Sequence, residues 1–125
     1  MKMLVIDDSR PMRTLLAHIG KELSFTTAEA CDGREGLNTL VTNDPREPFD
    51  VVLVDWEMPQ MNGLEFVQAV RRNQEFADLK VLMITTLNSM ERVAMAIEAG
   101  ANDYLMKPVS KEMVMEKMQI LGVLD

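Results

Sequence analysis

The chain alternates five short apolar runs with longer segments of helical periodicity, and this alternation constrains its fold more than any other feature. The runs cover residues 3–6, 25–30, 51–54, 79–84 and 103–106. The run at 51–54, Val-Val-Leu-Val, is continuous and β-branched, which is typical of a strand buried on both faces. Strands that alternate with helices predict a parallel sheet with helices on both faces and right-handed crossovers. The sequence therefore predicts an α/β fold.

The segments between the runs predict five helices. They cover residues 9–23, 33–41, 64–72 and 88–99, and a last helix is capped by Ser110. Gly100 suits the C-terminal cap of the fourth helix. The predicted inward positions of the first two helices are Met12, Leu15, Leu16, Ile19 and Leu23 in the first and Leu37, Leu40 and Val41 in the second.

Charge and composition exclude several classes of function. Thirteen Lys and Arg against twenty Asp and Glu give a net charge of −7, which argues against nucleic acid and anionic membrane surfaces as partners. A single cysteine, Cys31, and a single histidine, His18, exclude an internal disulfide, a Cys-rich zinc site and a His-cluster metal site. No apolar run is nearly as long as the about 20 residues that a membrane-spanning helix needs. We expect one domain over residues 1–125, located in the cytoplasm.

Polar residues follow four of the five predicted strands. Asp7 and Asp8 follow the first strand, Asp55 the third, Thr85 the fourth and Lys107 the fifth. In an open parallel sheet, ligands bind beyond the carboxyl ends of the strands. Any one of these residues could be a simple turn or helix-cap residue. The whole set at successive strand ends favours a binding site.

The three carboxylates at this edge predict a magnesium site with phosphoryl chemistry. Converging carboxylates repel one another unless a cation lies among them, and Lys107 offsets only one charge. Mg²⁺ prefers oxygen ligands, and no thiolate or imidazole lies in these loops. A carboxylate beside Mg²⁺ can attack phosphorus to form an acyl phosphate. A hydroxyl and an ammonium group, as on Thr85 and Lys107, would then hold the phosphoryl oxygens.

The chain resembles the receiver domain of two-component response regulators along essentially all 125 residues. It is most similar to the single-domain chemotaxis regulators of that family. The resemblance implies a flavodoxin-like fold with strand order 2-1-3-4-5. It rests on these motifs, in order: Asp7-Asp8-Ser9, Asp55-Trp56-Glu57-Met58-Pro59, Met61-Asn62-Gly63, Thr85-Thr86, and Asp103-Tyr104 with Lys107-Pro108.

The resemblance assigns roles to the acidic residues. Asp55 is the phosphoacceptor and also contacts the metal ion. Asp8 binds Mg²⁺ directly, and Asp7 does so largely through water. Glu57 contributes its backbone carbonyl to the ion.

Further implied roles concern the phosphoryl group and the transmission of the signal to a partner protein. By resemblance, Thr85 donates to the phosphoryl group, Lys107 pairs with it, and the peptide bond before Pro108 is cis. Thr85 and Tyr104 form the switch. The expected partner face, with Met90 exposed, comprises Met90, Val93, Ile97, Tyr104 and Lys117.

Two positions depart from the family pattern. The second residue after the phosphoacceptor is often Asn or another small polar residue, whereas Glu57 adds a negative side chain near the phosphoryl group. The residue after the hydroxyl residue is often Ala, whereas Thr86 is larger. With Leu87, these residues are expected to line the approach of the hydrolytic water. The family's usual lifetime of the phosphorylated form therefore does not carry over to this chain.

The resemblance implies a signalling switch rather than an enzyme. A sensor histidine kinase of the chemotaxis type would supply the phosphoryl group, and a phosphatase could remove it. The target would be the flagellar motor switch, and we expect a monomer. The alternatives are a phosphorelay or phosphate-sink receiver, a receiver of a non-motility pathway and, more remotely, a Mg²⁺-dependent aspartyl phosphohydrolase. A nucleotide-binding protein of this fold would need a Gly-rich phosphate loop, which the sequence lacks.

Overall fold

A computed structural model describes residues 1–86 and 90–125 of the chain. In this part of the chain the strands form one five-stranded parallel sheet in the order β2-β1-β3-β4-β5. The predicted α/β fold and its strand order are therefore confirmed. The strands are β1 (Lys2–Ile6), β2 (Thr26–Ala30), β3 (Val51–Asp55), β4 (Lys80–Thr85) and β5 (Asp103–Met106).

Helices lie between the strands close to where the periodicity predicts them. A short 3₁₀-helix at Gln74–Phe76, which the periodicity does not predict, precedes β4. The start predicted for the fourth helix, Asn88, lies outside the described residues. The α-helices are α1 (Arg10–Glu22), α2 (Gly33–Thr42), α3 (Gly63–Arg71), α4 (Met90–Ala99) and α5 (Lys111–Ile120).

Side-chain caps fix where several helices begin. The side chain of Ser9 accepts from the backbone N–H of Met12 at the start of α1. Ser110 accepts from the N–H of Met113 in the same way before α5. Each cap satisfies a backbone donor that has no partner within the helix. The polar residues that follow β1 and β5 are thereby held close to the edge of the sheet.

The sheet separates two hydrophobic clusters because successive side chains of a strand point to opposite faces. On β1, Leu4 and Ile6 join the cluster under α2, α3 and α4. Met3 and Val5 join the cluster under α1 and α5. All four side chains are fully buried. The central strands are thus covered on both faces, as the continuous apolar run of β3 predicts.

Two predicted core positions are wrong. Val41 is 59% exposed and Leu15 is 43% exposed. In α2 the buried positions are Gly33, Gly36 and Leu40, a face from which Val41 is rotated by one residue, about 100°. Helix α1 likewise turns Leu16 and Ile19 inward and leaves Leu15 toward solvent.

Arg71, at the end of α3, ties three segments together at the amino-terminal edge of β4. Its guanidinium donates to the carbonyl oxygens of Gly100 (2.9 Å), Phe76 (2.8 Å) and Leu79 (2.8 Å), and to Asn102 Oδ1 (3.0 Å). Burial lowers the pKa of the guanidinium. Gly100 has φ +119°, and a Cβ there would lie 2.5 Å from Arg71 Cγ. The glycine therefore serves both the backbone turn and the close approach of Arg71.

We expect Arg71→Ala to lower the free energy of unfolding by about 2 kcal/mol, because several partly buried carbonyl groups lose a charged donor. Urea denaturation followed by circular dichroism measures the change. Arg72→Ala is the matched control, since Arg72 is exposed and surface substitutions usually stay within about 0.5 kcal/mol. Equal losses in the two variants would contradict the role of Arg71.

Candidate functional site

Three carboxylates meet at the carboxyl edge of the sheet. Asp7 and Asp8 directly follow β1, and Asp55 is the last residue of β3. These strands are neighbours, with Ile6 paired to Val54. One carboxylate oxygen from each of Asp7, Asp8 and Asp55 lies within 4.8 Å of the others. Strand pairing thus brings together acidic residues that are 48 positions apart in sequence.

Lys107 places its ammonium group against this cluster. Its Nζ lies 3.2 Å from Asp7 Oδ2 and 3.5 Å from Asp55 Oδ1. The peptide bond between Lys107 and Pro108 is cis. The side chain of Lys107 is 18% exposed, so its contacts with the carboxylates are only weakly screened by solvent.

Thr85 lies at the same edge, one residue beyond the partner of Asp55. Asp55 pairs with Ile84 across β3 and β4. The backbone N–H of Lys107 donates to the carbonyl oxygen of Thr85 at 2.9 Å. Thr85 itself is buried. The structure therefore places all the predicted strand-end residues on one rim.

The three carboxylates differ in their surroundings. Asp7 is fully buried, and its Oδ1 accepts from the backbone N–H of Ser9 at 2.9 Å. Arg13 Nη1 donates to the carbonyl oxygen of Asp7 at 2.8 Å. Asp8 is exposed, whereas Asp55 is buried. Asp7 is thus held by the protein on two sides, and Asp8 faces solvent.

The environment raises the pKa of Asp55 from its ordinary value of 3.8 to about 6. The main cause is burial, and the second is the negative charge of Asp7. The positive charge of Lys107 opposes both effects without cancelling them. The cluster therefore carries more negative charge than its single ammonium group balances.

The donor set fits a hard divalent cation. The ligand atoms are carboxylate oxygens, which Mg²⁺ prefers, and the exposure of Asp8 leaves room for the water ligands that Mg²⁺ retains. In the part of the chain that the structure describes, this cluster contains neither a thiolate nor an imidazole. A divalent ion would also relieve the repulsion from Asp7, which is the second cause of the raised pKa of Asp55 after burial.

The loop after Asp55 is closely packed against α3. Trp56 is buried, and its carbonyl oxygen accepts from the N–H of Gly63 at 2.8 Å. A Cβ at Gly63 would lie 2.4 Å from the carbonyl oxygen of Asp55. Only glycine allows α3 to begin this close to the loop. Asn62 and Glu65 complete a capping box there.

The side chain of Glu57 has a partner that sequence reasoning missed. Its Oε1 lies 3.8 Å from Nη1 of Arg92 on α4, and the Glu57 side chain is 66% exposed. The Arg92 guanidinium also lies over the ring of Trp56, 5.6 Å from the centroid. Because the two residues belong to different elements, no spacing in the sequence signals this contact. Thr86, the other departure from the family pattern, is exposed, and Leu87 lies outside the described residues.

Tyr104 lies half-buried on β5, beside a small cavity of about 10 Å³. Thr85 and Tyr104 both line this cavity, together with Trp56, Met83, Arg92, Val93 and Ala96. The predicted switch residues therefore share one small space.

The expected partner face is only partly exposed. Met90 is 74% exposed and Ile97 is 44% exposed, whereas Val93 is half-buried. Lys117 Nζ lies 3.0 Å from both carboxylate oxygens of Asp103 and 5.6 Å from the centroid of Tyr104. Its ammonium group is thus held against β5.

A larger cavity, of about 510 Å³, opens at the opposite, amino-terminal end of the strands. Phe49, Phe76 and Leu79 are among its lining residues, with Asp50 and Lys80. It contains none of the clustered carboxylates, so we do not assign it to the site. In the described part of the chain, no helix is long and apolar enough to cross a membrane.

A parallel sheet of this order, with acidic residues at the carboxyl ends of β1 and β3 and a lysine after β5, is the architecture of receiver domains. The model of the response regulator receiver domain family matches residues 3–119, and the chain belongs to this family. The predicted resemblance is thereby confirmed.

Individual relatives within the family carry chemotaxis names. A "Chemotaxis protein CheY homolog" from Campylobacter jejuni is 37% identical over 124 residues, which cover 98% of this chain and 93% of the relative. "Chemotaxis protein CheY1" from Helicobacter pylori is 33% identical over 126 aligned positions, which cover both chains fully. The solved structure of chemotaxis protein CheY4 from Vibrio cholerae superposes with a TM-score of 0.87 at 33% identity. That superposition covers 96% of this chain and 97% of the other.

Proposed function

We propose that this chain is a phosphorylation-activated signalling switch that accepts a phosphoryl group on Asp55. The observation that carries the proposal is the cluster of Asp7, Asp8 and Asp55 with the Lys107 ammonium between two of them. In the reaction, a carboxylate oxygen of Asp55 attacks phosphorus in a phosphohistidine of a sensor kinase. The phosphorus–nitrogen bond breaks and the imidazole takes up a proton, so that an acyl phosphate remains on Asp55.

Asp55 is the best acceptor of the three carboxylates. Asp7 is fully buried and already accepts from Ser9 and Lys107. Asp8 is exposed to solvent. Asp55 lies between these extremes, with a side chain that is 10% exposed and within reach of Lys107. A phosphoryl group there would be accessible to a donor and still close to fixed positive charge.

Asp7, Asp8 and Asp55, with the backbone carbonyl of Glu57, would hold the Mg²⁺ ion. The ion would supply positive charge to the phosphoryl oxygens. Thr85 would donate its hydroxyl to one of these oxygens, and Lys107 would pair with another.

Thr85 and Tyr104 would convert phosphorylation into a changed binding surface. When Thr85 moves toward the phosphoryl group, it vacates space at the end of β4 next to the small cavity that it shares with Tyr104, and Tyr104 can turn toward that vacated space. The changed face would comprise the α4 residues Met90, Val93 and Ile97 together with Tyr104 and Lys117. We expect it to bind the target protein.

We place this switch in chemotaxis, with the flagellar motor switch as its target and a chemotaxis-type histidine kinase as its donor. The names of the relatives support this assignment. A single receiver domain acting as a monomer in the cytoplasm, where such kinases present their phosphohistidine, completes the proposal. A phosphohydrolase is disfavoured, because the Glu57 carboxylate that would act as its acid/base is exposed and paired with Arg92.

Covalent uptake of phosphate tests the proposal directly. We expect incubation with acetyl phosphate and Mg²⁺ to add the mass of one phosphoryl group to the intact protein, and chelation of Mg²⁺ to prevent it. Uptake that is independent of a divalent ion would contradict the proposed site.

Mg²⁺ is expected to raise the free energy of unfolding, because an ion that binds only the folded state stabilises it by mass action. Asp8→Ala should lower the Mg²⁺ affinity at least about tenfold. Asp8 is the informative position because it is exposed and its loss leaves no cavity. Thermal melting and Trp56 emission during a Mg²⁺ titration measure the response, and Glu98→Ala, another exposed acidic residue, is the control. An unchanged Mg²⁺ response in Asp8→Ala would show that the ion binds elsewhere.

Tyr104→Ala is expected to weaken the switch without blocking phosphorylation. Allosteric couplings are typically about 1–3 kcal/mol, so activation by beryllofluoride should tighten target binding about 5- to 150-fold. Tyr104→Ala should shrink this ratio, whereas Val41→Ala, at an exposed apolar residue of α2, should preserve it. A pull-down with beryllofluoride-treated protein identifies the target, and titration of both forms gives the ratio. The full ratio in Tyr104→Ala would exclude this switch.

A further inference from the structure

Arg92 bridges the loop after Asp55 and helix α4. Its Nη1 lies 3.8 Å from Glu57 Oε1, and its guanidinium lies 5.6 Å from the centroid of the Trp56 ring. Glu57 and Trp56 are the two residues that directly follow Asp55 in sequence. Arg92 therefore contacts the loop after Asp55 through both an ion pair and a cation–π contact.

The side chain of Arg92 is also bounded on its inner side. It lines the small cavity that Thr85, Val93 and Tyr104 share. The side chain is 44% exposed, so its remaining surface faces solvent at the rim of the site. Its positive charge thus lies between the loop that follows Asp55 and this cavity.

Glu57, two residues after Asp55, adds a further carboxylate to the loop that follows the cluster of Asp7, Asp8 and Asp55. Lys107 is engaged with two members of the cluster, Asp7 and Asp55. In the described part of the chain, Arg92 is the cation paired with Glu57. Without Arg92, the loop that follows Asp55 would carry an unbalanced negative charge, which repels an anionic phosphodonor.

We propose that Arg92 is a positioning residue for phosphorylation: it holds the Glu57 carboxylate aside and neutralises it, so that an anionic phosphodonor can reach Asp55. The inference rests on the proposed function of Asp55. Arg92 acts on the reaction only through Glu57. The ion pair of Arg92 and Glu57 is exposed and adds little to the free energy of unfolding. Its effect is on the rate at which an anionic phosphodonor reaches Asp55.

A double-mutant cycle on the rate of phosphorylation tests this role. The probe is acetyl phosphate with saturating Mg²⁺ at low ionic strength, and the rate is followed by Trp56 emission and intact mass. We expect Arg92→Ala to slow phosphorylation about two- to tenfold, the size of the repulsion between a dianion and one further charge across several ångströms of water-like medium. Arg92→Lys, which keeps the charge, should stay near the wild-type rate. High salt should reduce the Arg92→Ala defect, because it screens exposed charges.

The Glu57→Gln background separates positioning from other roles. In that background, Arg92→Ala should have no further effect on the rate. The matched control is Arg46→Ala, which removes the same charge from an exposed ion pair with Asp44 and should leave the rate unchanged. The metal-free proteins provide a second readout, since Arg92→Ala and Glu57→Gln should both alter acrylamide quenching of Trp56.

Three results would overturn the inference. They are a wild-type rate in Arg92→Ala at low salt, an equal loss in the Glu57→Gln background, and a loss explained by weaker Mg²⁺ binding in a direct titration. Failure of the proposed function looks different, because the wild-type protein itself would then take up no phosphate.

Discussion

Replacing Asp55 with Asn is expected to abolish phosphorylation completely. An amide is not a nucleophile toward phosphorus and forms no acyl phosphate, so the loss is chemical rather than conformational. Asn has nearly the same shape as Asp, and strand β3 is buried along its whole length. The experiment is incubation with acetyl phosphate and Mg²⁺, followed by intact-mass and peptide mass spectrometry.

Two further variants distinguish the acceptor from its surroundings. Asp78→Asn changes an exposed acidic residue outside the cluster and should take up phosphate as the wild-type protein does. Lys107→Ala should still accept phosphate, but its signalling should weaken, because the phosphoryl group loses its ammonium partner. Phosphate found on Asp7, Asp8 or any other residue of the Asp55→Asn protein would overturn the assignment.

The rim of the site could be predicted because it depends on strand ends. Asp7, Asp55, Thr85 and Lys107 each follow or end an apolar run, and parallel strands bring their carboxyl ends to one edge. The alternation of runs and helices determines that edge without knowledge of side-chain contacts. The strand order could not be predicted from the alternating pattern, because that pattern is compatible with several orders. Only the family resemblance selected one of them.

Contacts between helices and loops could not be predicted in this way. Arg71 and Arg92 act through hydrogen bonds and ion pairs to segments remote in sequence, and a charged residue on a helix surface looks the same whether or not it has such a partner. Exposure of Val41 depends on a rotation of one residue around the α2 axis. Periodicity over ten residues does not resolve such a rotation when three apolar residues lie close together.

The raised pKa of Asp55 predicts an unusual dependence of stability on pH in metal-free protein. The folded-state pKa is about 6 and the ordinary value is 3.8, so between these values the folded state binds more protons than the unfolded state. The contribution of Asp55 to stability must then fall as the pH rises through this range. A shift of about two pKa units corresponds to about 3 kcal/mol, all of it lost by pH 7. The Asp55→Asn protein lacks this ionisable carboxyl group, so the same loss of stability is not expected in it.

In EDTA at pH 7, Asp55→Asn should therefore be more stable than the wild-type protein by up to about 3 kcal/mol, and the difference should shrink as the pH approaches 4. Urea denaturation at a series of pH values measures both curves, with Asp78→Asn as the matched control. Saturating Mg²⁺ at pH 7 should restore the wild-type protein, because the ion balances the same charge. A metal-free Asp55→Asn protein no more stable than wild type at pH 7 would show that Lys107 offsets both the burial of the Asp55 carboxylate and its repulsion by Asp7. The unfavourable environment of the Asp55 carboxylate, which a bound cation would relieve, would then be absent.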